Sequence, residues 1–177
     1  MTVNVPLAYQ SLVLYMSQST HLPYQVVACQ ANEESGFQAF VVSPAGAQGW
    51  LQFIPSTWAS VGHGSPFNVV DAAQAYVVLM RQLLREFNGS ARLALAAYNA
   101  GPGNITAGLG YADTILRCAG SPSVINVGVP TGTATGELPP GPDVQADDWS
   151  WYIGQSSKWV RDMADSLHSY ALLIGRI

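Results

Sequence analysis

Apolar positions along the first part of this chain recur mainly with a helical period. Ala8, Leu12, Tyr15 and Met16 follow Pro6 at that spacing and predict a helix over about 6–19, with proline at a first-turn position that tolerates it. Thr20, His21 and Leu22 interrupt the pattern. Pro23 then opens a second helix, which Val26, Val27, Gln30 and Ala31 carry to Glu34. Gly36 suits the end of that helix, because glycine reaches the left-handed conformation cheaply. From Phe37 to Val42 the chain reads as extended, and over 44–49 as turns. Pro55, Ser56, Thr57 and Trp58 read as the opening of a short helix, and 62–66 as loop. The clearest period is Ala72, Ala75, Tyr76, Leu79, Met80, Leu83 and Phe87. It predicts a long helix capped by Asp71, with Gln74 completing a capping box and Asn88-Gly89 as the stop. Ser90 is placed to cap a helix over 91–100, which Gly101-Pro102-Gly103 ends, and a short helix is expected over 111–118.

The pattern changes after residue 118. Residues 119–148 hold five of the eleven prolines, with Gly, Ser and Thr between them. Such a stretch suits a linker or an arm laid on a surface. Beyond it Tyr152, Trp159, Met163, Leu167, Tyr170 and Ile174 form one helical stripe. The expected organisation is therefore mainly α: a domain over 1–120, an extended linker or arm over 121–148 and a C-terminal amphipathic helix over 149–177. That last helix has three docking options: its own domain, another copy of the chain or a partner protein. No internal repeat is found.

Composition narrows the function classes. Apolar residues make up 49% of the 177 and charged residues 10%, so the chain can bury a sizeable core. Net charge is -4, and no Lys or Arg precedes Arg81. A phosphate-binding face needs basic side chains, so nucleic acid is excluded as a partner. No apolar run in 1–20 is long enough to span a bilayer, and no secretory signal pattern is found there. A trimmed signal, another export route and a place within a larger chain all fit that observation. Cys29 and Cys118 read either as two buried small hydrophobes or as one disulfide. With three scattered histidines they make no zinc pattern. Gly101-Pro102-Gly103 lacks the Lys and the Ser/Thr of a phosphate loop. No metal or organic cofactor is expected.

One stretch carries the candidate chemistry. Glu33 and Glu34 stand alone, because no Asp or Glu occurs from Ser35 to Val70. The segment after them is rich in aromatics, glycines and amides, a composition suited to a groove for neutral, hydroxyl-rich ligands such as sugars. Glu34 is expected in the last turn of its helix, where orphan carbonyls disfavour a negative charge. With an apolar surround, that placement raises a carboxyl pKa toward the range a general acid needs.

Three stretches in order resemble the lytic transglycosylases of the soluble (SLT) type, glycoside hydrolase family 23, which also includes goose-type lysozymes. They are Glu34-Ser35-Gly36-Phe37, then Ser43-Pro44-Ala45-Gly46-Ala47-Gln48-Gly49-Trp50-Leu51-Gln52-Phe53-Ile54-Pro55-Ser56-Thr57, then Ala96-Ala97-Tyr98-Asn99-Ala100-Gly101-Pro102-Gly103-Asn104. The likeness covers about 23–118. It implies a lysozyme-like fold with a glycan groove and a single catalytic acid, Glu34, with Glu33 a bystander. It also implies that Ser43 and Gln52 line the groove, that Tyr98 and Asn99 lie close to the acid, and that Tyr111 faces the site. The family's usual Gly-Leu-Met-Gln appears here as Gly49-Trp50-Leu51-Gln52, which leaves Trp50 with two roles, stacking on a sugar or filling the core. The stretch between Gly103 and Tyr111 is shorter than is common in the family and lacks its usual Glu-Thr pair.

Ordinary glycosidases use two carboxylates. With Asp71 read as a helix cap and His63 as an exposed loop residue, a one-carboxylate site favours substrate assistance. The resemblance implies cleavage of the MurNAc–GlcNAc β-1,4 bond of peptidoglycan to a 1,6-anhydro product. Two alternatives stay open: lysozyme-type hydrolysis of the same bond, with Asp71 or His63 as base, and a non-catalytic wall-binding module. The expected location is extracytoplasmic or virion-associated, with a bacteriophage or an exported bacterial setting.

Overall fold

The computed structural model describes residues 3–120, and the expected arm and C-terminal helix lie outside them. Six α-helices make up the described fold: α1 (Leu7–Thr20), α2 (Tyr24–Ser35), α3 (Pro55–Val61), α4 (Val69–Glu86), α5 (Ala91–Ala100) and α6 (Ile105–Cys118). A 3-10 turn, Pro102–Asn104, joins the last two. Extended backbone among the described residues amounts to two isolated antiparallel bridges, Val42 with Gln48 and Gln48 with Phe53.

α4 is the hub of the packing. It touches α1, α3 and α5, and buries Ala72, Ala75, Tyr76, Met80, Leu83 and Leu84. Each large side chain among these contributes roughly 1.5–3 kcal/mol by leaving water. The expected cap of this helix needs correction. Asn68, not Asp71, is its N-cap, and the Asn68 carboxamide oxygen accepts from the amides of Val70 (2.9 Å) and Asp71 (3.3 Å). Asp71 sits within the first turn, and its carboxylate accepts from the Ser65 amide of the preceding loop at 3.0 Å. The β-branched pair Val69-Val70 hides this start in a sequence read by propensity alone. Ser90 does cap α5, accepting from the Leu93 amide.

α6 begins at Ile105, six residues before the expected position. Gly108 explains both the oversight and the packing. Glycines weaken the helical reading, yet a Cβ at Gly108 would overlap the Ala96 carbonyl of α5. The two helices can approach this closely only with glycine there. α6 also packs against α2, and Cys29 of α2 forms a disulfide with Cys118 at the end of α6, with Cα atoms 6.1 Å apart across 89 residues of sequence. The disulfide settles the choice left open by the sequence.

α2 ends as expected at Gly36, which adopts φ +61° while its amide bonds to the Asn32 carbonyl. Glu34 therefore stands in the last turn. No described helix is long and apolar enough to cross a membrane.

Candidate active site

The irregular segment over 38–54 is tied down by side chains of α2 and α5. The Ser35 hydroxyl donates to the Trp50 carbonyl at 2.8 Å and accepts from the Gln38 amide at 3.1 Å. The Tyr98 hydroxyl, from α5, donates to the Leu51 carbonyl at 2.7 Å. Two consecutive backbone carbonyls of the second motif are thus held by the first and third motifs. Buried carbonyls need such partners, and this need accounts for a Ser beside the acid and a Tyr on α5.

Trp50 is fully buried, with its ring against Tyr9 at 4.9 Å and its indole N–H donating to the Val69 carbonyl at 3.2 Å. Of its two possible roles the core one is observed, and the sugar-stacking role is corrected. Gly49 has φ +73°, and a Cβ there would overlap the Pro66 carbonyl, so the turn admits only glycine. Gln52 takes a left-handed φ of 50° and donates from its side chain to the Gly49 carbonyl at 2.7 Å. The Ser43 hydroxyl accepts from the Ala47 amide at 3.0 Å. Both side chains therefore brace the loop, and each remains half-buried rather than sealed.

Glu34 lies where α2, α4, α5 and α6 converge. It keeps partial access to solvent. Removal of most of the surrounding water pushes its carboxyl up from an ordinary 4.5 to about 7. The hydrogen bond that the Tyr111 hydroxyl donates to its Oε1 opposes the rise, and the neighbouring charge of Glu33 adds to it. Tyr98 and Tyr111 are held well above the usual phenol range, chiefly by burial and then by the charge of Glu34. At neutral pH both phenols are therefore hydrogen-bond donors. Tyr76 of α4, with its ring centroid 5.8 Å from that of Tyr98, is raised in the same way and feels the same charge.

The expected site residues thus divide. Glu34, Tyr98 and Tyr111 are brought together. Asn99 is exposed beside Tyr98 on α5, and Ser43 and Gln52 brace the neighbouring loop. Asp71 is committed to the Ser65 amide, and His63 is exposed in its loop. The sequence pattern marks Gln30 and Tyr76 only as positions on helices. In the structure Gln30 is fully buried, one helical turn before Glu34, and its carbonyl accepts from the Tyr76 hydroxyl at 2.8 Å. The signal available in the sequence was an amide in an otherwise apolar run, four residues before an acid. Among the described residues no cluster of His, Cys, Asp or Glu could hold a metal ion.

A helical domain that presents a half-buried, proton-retaining carboxyl beside a tightly turned loop agrees with the lysozyme-like class that the resemblance implies. Residues 11–114 match the model of the transglycosylase SLT domain, and the chain belongs to that family. It is 29% identical over 115 residues to the soluble lytic murein transglycosylase of Escherichia coli (strain K12), and 28% identical over 118 residues to that of Salmonella typhimurium. Each match covers 59% of this chain and 18% of the relative. The fold resembles the crystal structure of the 70-kDa soluble lytic transglycosylase of Escherichia coli, with a TM-score of 0.52 and 25% identity over 64% of this chain and 21% of that one. The chain thus spans about a fifth of the length of these relatives.

Proposed function

We propose that this chain degrades peptidoglycan as a lytic transglycosylase, cleaving the MurNAc–GlcNAc β-1,4 bond with Glu34 as its acid. The observation that carries the reading is the Glu34 carboxyl itself, which retains its proton to about pH 7 beside a phenol that orients it. Family membership and the names of the relatives support the substrate class.

In this mechanism protonated Glu34 donates to the glycosidic oxygen as the bond to the MurNAc anomeric carbon breaks. No carboxylate occurs between Ser35 and Val70 to form a covalent intermediate. The substrate's own N-acetyl oxygen instead stabilises the cation. Glu34, now ionised, takes the proton from the C6 hydroxyl, whose oxygen closes onto the anomeric carbon as a 1,6-anhydro ring. The proton count balances, because the proton given to the leaving sugar returns from C6. Tyr111 holds the carboxylate in its ionised phase. Tyr98, with Asn99, Ser43 and Gln52 along the loop, lines the approach for the N-acetyl and hydroxyl groups of neutral sugars. Peptidoglycan as the substrate implies a location outside the cytoplasm, where that polymer lies.

Wild type and Glu34→Gln incubated with purified peptidoglycan test the reading by mass spectrometry. Anhydro-muropeptides from wild type alone are expected. Fragments heavier by one water would replace the transglycosylase with a hydrolase. Binding without release from either protein would overturn the enzymatic reading.

A further inference from the structure

Beneath the acid lies a side chain that the mechanism above leaves unused. The buried polar side chains among the described residues are Ser17, Thr20 and Gln30. Ser17 and Thr20 satisfy themselves on backbone carbonyls at the end of α1. Gln30 is different. It sits between Cys29 and Ala31 on the buried face of α2, fully shielded from water, one turn before Glu34. Its carbonyl is occupied by the Tyr76 hydroxyl at 2.8 Å, but its Nε2 has no partner at hydrogen-bond geometry. An amide with two free N–H donors is costly to bury, so a chain that keeps one needs a use for it.

The surroundings indicate that use. With its carbonyl fixed by Tyr76, the amide keeps a free nitrogen in the same buried neighbourhood as Tyr111, whose hydroxyl bonds the carboxylate one helical turn on from Gln30. Burial and the charge of Glu34 hold the Tyr111 proton in place, and of the groups around that phenol the Gln30 side chain alone pulls the other way. Tyr111 spends its own proton on Glu34. The phenolic oxygen therefore has lone pairs free to accept.

We propose that Gln30 is a positioning residue whose Nε2–H, with the carbonyl anchored on Tyr76, donates to the Tyr111 oxygen and so aims the Tyr111 proton at Glu34. The chain of donors runs one way, from Gln30 to Tyr111 to Glu34. A donor behind a hydroxyl polarises it and strengthens the bond it gives. The arrangement favours the ionised carboxylate, the form that must receive a proton in the second half of the reaction. The groups that face Glu34 are Glu33 on its own helix, Tyr76 from α4, Tyr98 from α5 and Tyr111 from α6. Gln30 is placed to act on the acid through Tyr111.

The consequence for turnover rests on the reading of Glu34 as the catalytic acid, but the titration of Glu34 does not. The test is therefore a carbon-detected NMR titration of the Glu34 carboxyl in the full chain, without substrate. Gln30→Met keeps the bulk and removes the donors. It is expected to raise the Glu34 midpoint by about half a unit to one unit, and the alkaline limb of peptidoglycan turnover follows by the same amount. In a Tyr111→Phe background the same substitution adds no further shift. An unchanged midpoint, or an equal shift without the Tyr111 hydroxyl, overturns the proposal. If Gln30→Met does not fold, the wild type decides. The Gln30 side-chain amide resonances are expected to move with the Glu34 titration, and resonances flat across it overturn the relay. Failure of the wild type to cleave peptidoglycan would sink the proposed activity and leave these titrations standing.

Discussion

Two carboxylates sit against α6 on opposite terms. Glu34 receives the Tyr111 hydroxyl in a setting stripped of most water, and its proton is held to about pH 7. Asp113, two residues further along α6, forms a two-point ion pair with Arg92 of α5, at 2.6 and 2.8 Å. That hydrogen bond, at the open surface, holds its carboxyl below the usual range. Both pairs link α6 to another helix. The difference lies in what replaces water. A neutral donor without a countercharge leaves the buried acid protonated, whereas a guanidinium in solvent leaves its partner ionised at any ordinary pH. The first arrangement is the one that suits the proposed acid, because a general acid must keep a proton that it can release. The second contributes little to stability once solvent screening is counted.

The sharpest way to break this contrast is to remove the proton from the buried site. Glu34→Gln is expected to lower peptidoglycan turnover by about 10²–10⁴-fold, the usual scale for general acid catalysis, while Asp113→Asn leaves turnover within about twofold, as expected for an exposed pair away from the chemistry. Comparable losses in both variants would dissolve the distinction. In the wild type, kcat/KM is expected to fall as pH rises through about 7, because only protonated Glu34 can donate.

Next in size is the clamp that keeps α2 and α6 together. The Cys29–Cys118 disulfide closes a long loop and joins the helices that carry Glu34 and Tyr111. Replacing both cysteines by alanine is expected to cost about 2–5 kcal/mol in denaturant unfolding. An unchanged midpoint would mean that helix packing alone sets the spacing between the acid and its phenol.

The burial of Glu34 also has a stability cost with a definite sign. Its folded pKa is raised above its unfolded value, so the folded state binds more protons between about 4.5 and 7. The stability present below the unfolded pKa is therefore lost as pH rises through the folded one, by up to about 3 kcal/mol. Glu34→Gln, neutral throughout, is expected to melt several degrees above wild type at pH 8 and level with it at pH 4. An equal difference at both pH values would show that the carboxyl is not desolvated.

This contrast is only partly visible in the sequence. The helices carrying Glu34 and Tyr98 are legible, because their apolar periods are regular and Gly36 and Ser90 mark their ends. The lone acid is legible from the missing second carboxylate. Tertiary needs hide the rest. Trp50 occupies a motif position open to two roles yet fills the core, a choice that only the packing of Tyr9 and Phe37 decides. The start of α6 is concealed by Gly108, which close approach to α5 requires. The Tyr76–Gln30 bond spans 46 residues and the disulfide 89, and local periodicity reports neither.

The smallest expected effect concerns the exposed pair. Arg92→Ala removes both hydrogen bonds to Asp113. Surface ion pairs gain little, because water solvates both partners well once they separate and side-chain entropy is returned. The melting temperature at pH 7 is expected to change by about one degree at most. The sign of any pH dependence is the reverse of that for Glu34. The Asp113 pKa is lowered in the fold, so its contribution is present above the unfolded pKa and fades as pH falls through the folded one. A melting difference between wild type and Arg92→Ala that shrinks on acidification, while the Glu34→Gln difference shrinks over a higher pH range, would separate the two carboxylates in one experiment. A large loss on removing Arg92 would show instead that α5 and α6 depend on the pair. The Gly108 contact would then be too weak to hold them alone.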